Sequence, residues 1–121
     1  MKATILLPLV LLAGCSTTPT QIIESGLRQE FSSLSSPRQL AEGTATQARS
    51  FSSYYTASVA EMVRPDTYQV VVMKTRWDYE PFIVARTSPS APGSQLTVYT
   101  SSELTPDRIS DWIARLRKGC A

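Results

Sequence analysis

"YQVVVMKT", Tyr68–Thr75, is the stretch on which the fold turns. Its three consecutive valines are β-branched, and side chains of that kind fit a pleated surface better than a helix. Turn chemistry bounds it on both sides, "RPDT" at Arg64–Thr67 before it and "RWDYEP" at Arg76–Pro81 after it. It therefore predicts a strand. Upstream, "YYTASVAEMV" alternates, with Tyr55, Ala57 and Val59 on one side. Downstream, "FIVART" at 82–87 and "QLTVYT" at 95–100 read as two further strands, separated by the proline-rich loop "SPSAPGS" at Ser88–Ser94. Short connections between all four predict an antiparallel meander.

Helices are expected on either side. Ser36 can cap a helix whose first position is Pro37, with Gln39 placed for a capping box. Leu40, Thr44, Ala48 and Phe51 then share a face, so this helix is expected from Pro37 to about Ser50. The C-terminal helix is the clearest element, with Thr105 as N-cap, Pro106 at the first position and Asp107 favourable at the positive helix end. Ile109, Trp112, Ile113 and Leu116 fall at i, i+3, i+4 and i+7, and Gly119 is placed to end the helix. Ile22, Ile23, Leu27, Phe31 and Leu34 recur at roughly helical spacing, weakened by Gly26, and are read as a further helix. The expected fold is α+β: a helix, a four-stranded antiparallel meander and a C-terminal helix, with the helices packed on one sheet face.

The N-terminus has a different character. Met1 and Lys2 precede an apolar run, Ala3–Ala13, interrupted only by Thr4 and Pro8. As a helix it would reach about 16 Å, roughly half a bilayer's hydrocarbon core, which suits the h-region of a secretory signal and not a membrane span. Leu12, Ala13, Gly14 and Cys15 close that run. These four residues resemble the lipobox of bacterial lipoproteins. The resemblance implies a diacylglyceryl group on the Cys15 thiol, cleavage between Gly14 and Cys15, and N-acylation of the new terminus by a fatty acid such as palmitate. Acyl chains in that number make a firm anchor, since each buried methylene adds about 0.8 kcal/mol. Residues 1–14 are then a cleaved signal peptide, 15–21 a lipidated polar tether ("STTPTQ" follows Cys15), and 22–121 the folded domain. Ser16 resembles the default outer-membrane signal of Gram-negative lipoproteins, facing the periplasm, with the inner membrane as the alternative.

Composition narrows the activity. Of the 12 basic side chains only Lys2 precedes Cys15, which leaves 11 against 10 acidic. A balance of that kind argues against nucleic acid, which needs a basic stripe. The chain has no histidine, so Ser–His and Cys–His nucleophile pairs and histidine-containing zinc sites are excluded, and two cysteines cannot make a four-cysteine site. A serine–lysine pair through Lys74 or Lys118 is formally open, as are carboxylate pairs at Asp107/Asp111 and Asp78/Glu80. Plain readings are the stronger ones for these: strand-edge and helix-end charges, an Asp111–Arg115 pair and a solvated turn. No cofactor is expected beyond the covalent lipid on Cys15, and no metal.

Two features remain as candidate contacts. Trp77, Tyr79 and Arg76 sit in the hairpin "TRWDYEPF", a mixture in which binding energy tends to concentrate. Cys120 loses its only partner once Cys15 is lipidated, so it is a free thiol or an interchain disulfide in a homodimer, and its place beyond Gly119 suggests a mobile tail. The expected function is a lipid-anchored, non-enzymatic interaction or structural module of the bacterial envelope with a protein partner. An accessory or inhibitor subunit of a secretion or conjugation machine, and a carrier of small apolar ligands between sheet and helices, are the alternatives.

Overall fold

The computed structural model describes residues 18–75 and 80–120. Its elements run α1 (Pro19–Ser25), β1 (Leu27–Ser33), α2 (Pro37–Arg49), β2 (Tyr55–Glu61), β3 (Tyr68–Lys74), β4 (Pro81–Ser90), β5 (Gly93–Thr100) and α3 (Pro106–Arg117), closed by a 3-10 turn at Lys118–Cys120. The class is α+β. The five strands form one antiparallel sheet in the order β1-β5-β4-β3-β2, so α2 crosses from one edge to the other before the meander returns to β1.

The expected meander is present and gains a fifth strand. Leu27–Ser33, expected as helix, pairs with β5 in the register Phe31↔Leu96. Leu27 and Phe31 are four apart, a spacing that satisfies a two-residue period as well as a helical one. As an edge strand over a sheet end, β1 buries little, so the sequence shows no strong alternation there. The helix survives only as α1, and its start is earlier than the apolar residues suggest. Thr18 and Gln21 form a reciprocal capping box, Gln21 N–H donating to Thr18 Oγ1 (3.3 Å) and Thr18 N–H to Gln21 Oε1 (3.0 Å). Thr18–Gln21, read as tether, is thus the first turn of the domain.

The expected 88–94 loop is also mostly strand. β4 continues to Ser90 and β5 begins at Gly93, leaving Ala91-Pro92, joined by a cis peptide, as the turn. Pro89 is tolerated because β4 there pairs only with β5; its ladder with β3 ends at Tyr68↔Thr87.

Alternation sorts the sheet into two faces. Ala57, Val70, Val72, Ile83, Ala85, Leu96 and Val98 meet Leu40, Ala41, Ala45 and Ala48 of α2 and the expected stripe Ile109, Trp112, Ile113 and Leu116 of α3 in one core. Alanines on α2 let the helix sit close to the strands, and Thr87 Oγ1 donates to Pro37 O at 2.8 Å to hold its first turn. Caps at Ser36 and Thr105 accept from Gln39 N–H and Arg108 N–H. Ile22 and Val84 are the buried apolar residues that do not belong to this core. Val84 points away from Ile83 and Ala85, and α1 packs on β4 and β5 from that side. So only α2 and α3 share a face; α1 lies on the other.

Candidate functional site

Ends of β2, β3 and β4 meet the N-terminus of α3, and a concave surface forms there. Tyr55 opens β2, Lys74 closes β3 and Phe82 follows the first residue of β4, while Thr105 caps the nearby N-terminus of α3. Register slips between Val72 and Met73 opposite Pro81, a bulge that lets Phe82 reach the helix side. There its ring meets Trp112 at 5.2 Å and Tyr55 at 5.5 Å. Trp112 stacks on Phe51 at 4.4 Å and takes Tyr55 edge-on at 4.9 Å.

A cleft of about 300 Å³ opens beside this cluster, with Tyr55, Phe82 and Leu104 as apolar floor and Lys74, Glu103 and Arg108 on its rim. Arg108 Nη2 donates to Tyr55 Oη at 3.0 Å, which fixes the guanidinium over the mouth. The combination suits an amphipathic contact, an apolar group against the rings and polar groups at the rim. Sequence reading missed Tyr55, Phe82 and Arg108 as a group because 53 residues separate Tyr55 from Arg108.

Lys74 and Ser101 line the same cleft, but no hydrogen bond joins them among the described residues, and Ser101 Oγ instead accepts from Glu103 N–H at 3.2 Å. Lys118 lies in the C-terminal turn, away from Lys74. Asp107 and Asp111 are both exposed on α3. Arg115, expected to pair with Asp111, lies over the Phe51 ring at 4.7 Å and donates to Ser50 Oγ at 3.4 Å. Among the described residues no group of three or more His, Cys, Asp or Glu could hold a metal ion, and no helix is long and apolar enough to cross a membrane.

Cys120 is not the free arm expected of it. Gly119 packs on α2 so closely that a Cβ there would lie 3.0 Å from Gly43 C and Thr44 N. Ser33 Oγ donates to Cys120 O at 3.0 Å, and the half-buried thiol touches the core's edge beside a shallow pocket of about 240 Å³. Gly119 consequently serves close packing and not a left-handed helix end; among the described residues no glycine has positive φ. Burial pushes the Cys120 thiol up, partly opposed by the Arg117 guanidinium, so little thiolate exists at neutral pH.

Gly14, Cys15, Arg76, Trp77, Asp78 and Tyr79 lie outside the described residues. Thr75 and Glu80, which flank the last four, stand at the same end of the sheet as the cleft. No protein-family model, curated protein or solved structure matches the chain.

Proposed function

We propose that this chain is a lipid-anchored, non-enzymatic interaction module of the bacterial cell envelope. The observation that carries the reading is Leu12-Ala13-Gly14-Cys15 directly behind an apolar run too short to span. Fatty chains on Cys15 confine the domain to a membrane surface, by the Ser16 resemblance the periplasmic side of the outer membrane. Confinement raises its effective concentration near neighbours there, so a modest contact suffices to hold a partner. The contact surface in this reading is the aromatic and arginine-bearing end of the sheet, Tyr55, Leu104 and Arg108 over the buried Phe82 ring, which supports a protein partner over a small ligand. The space between sheet and helices, where an apolar ligand would have to lie, is filled by Leu40, Leu96, Trp112 and Leu116, each at most 1% exposed.

Affinity purification of the tagged protein from detergent-solubilised envelopes, run without reductant, tests this. The expected result is a defined envelope protein recovered with the wild type and lost with Arg108→Glu. Cys120 is expected as a free thiol, giving a band at monomer mass, because its sulfur is half-buried and little ionised. Recovery of the chain alone would count against the module, and a reducible band at twice the mass would establish a Cys120 homodimer.

A further inference from the structure

We propose that the sheet face carrying α1, and not the α2/α3 layer, rests against the phospholipid headgroups of the leaflet that holds the anchor. The inference rests on lipidation of Cys15 as proposed above. Because Thr18 already caps α1, three Cα steps separate it from Cys15, a reach of at most about 11 Å at 3.8 Å per step. α1 is itself about 10 Å long and ends where Gly26 meets Thr100 O. Its buried Ile22 side chain belongs to the side of the sheet opposite α2 and α3.

Stacked layers of helix and sheet lie about 10 Å apart, so the outer surface of α2 and α3 is roughly 20 Å or more from α1 by the shortest route. The leash cannot cover that distance. It can cover the distance from α1 to a bilayer lying along the α1 face. Beside Val71, Val84 and Met73 that face carries polar groups: Arg28 pairs with Glu30 at 2.6 Å, Arg86 donates to Gln69 Oε1 at 3.0 Å, and Thr97 and Tyr99 stand between them. Such groups exchange hydrogen bonds with phosphate oxygens and headgroup amines without entering the hydrocarbon. Tyr55, Leu104 and Arg108 then face away from the bilayer, where a partner can reach them.

Single cysteines placed in a Cys120→Ser background of the full lipidated chain test the orientation. Ser58→Cys and Glu30→Cys report the α1 face, Glu42→Cys and Ser110→Cys the helix layer; all four positions are exposed. Each is labelled with a fluorophore and bound to phosphatidylethanolamine/phosphatidylglycerol vesicles whose headgroups carry a nitroxide. Contact quenching decays over the ~20 Å between the two surfaces, so quenching at positions 30 and 58 is expected to exceed that at 42 and 110 by at least about twofold. Vesicle flotation is read first. A chain that does not float overturns the anchor and this orientation together; a chain that floats but is quenched equally at all four positions, or more at 42 and 110, overturns the orientation alone.

Discussion

Trp112→Ala is expected to abolish the cooperative unfolding transition or to lower Tm by at least about 15 °C. Removing a buried tryptophan costs about 3–5 kcal/mol, and a domain of this size has about 5–15 kcal/mol in total. The upper part of that cost applies here. Trp112 is 1% exposed and sits between Phe51, Tyr55 and Phe82, so its loss strips three rings of a partner at once. Trp112→Phe separates volume from hydrogen bonding. Trp112 Nε1 has no hydrogen-bond partner among the described residues, so the phenylalanine variant loses packing only and is expected to melt cooperatively, much nearer the wild type. Thermal melting of the two variants by circular dichroism makes the comparison. An alanine variant with the wild-type Tm would mean that α3 does not dock on the sheet.

Gly26→Ala is the second large effect. Its Cβ would be driven into Thr100 O and would lie 2.5 Å from Ile22 O, both backbone atoms that no side-chain rotation can move. Either α1 lifts from β4 and β5 or β1 separates from Thr100, its partner across Leu27. Overpacking typically costs about 1–3 kcal/mol, and a clash with two fixed carbonyls belongs at the top of that range. Gly43→Ala is the control, since its Cβ would meet Gly119 O at 3.2 Å, where the C-terminal turn can yield. Urea unfolding is expected to show a lower midpoint for Gly26→Ala by a margin several times that of Gly43→Ala. Equal midpoints would show that the α1–β1 junction is looser than described.

These two positions mark where the sequence could and could not be read. Trp112 was legible because the stripe of α3 repeats at one period only, between a strong cap and a basic last turn. The four strands of the meander and the α2 start were legible too, from β-branched or alternating runs between turn residues and from the Ser36–Pro37 cap. β1 was not, since Leu27 and Phe31 fit two periods and the flanking Arg28 and Glu30 are exposed. α1 was hidden by its length: seven residues hold one helical turn of apolar signal, and the signature was the cap, Thr18 with Gln21, rather than the hydrophobic pattern. The two prolines of Ser88–Ser94 masked a strand because only the sheet order tells that β4 outruns its neighbour β3 there. The cleft was beyond local reading altogether, because a bulge at Phe82 and a helix N-terminus from the far end of the chain create it.

Chemistry at one sulfur, that of Cys15, decides whether the domain is anchored at all. The intact mass of the native product, extracted from cells with detergent and measured without protease, addresses it directly. The expected product is a chain that starts at Cys15, lacks residues 1–14 and carries a diacylglyceryl group with or without a further acyl chain. A mass equal to that of all 121 residues, or of a chain with an unmodified Cys15, would contradict the anchor.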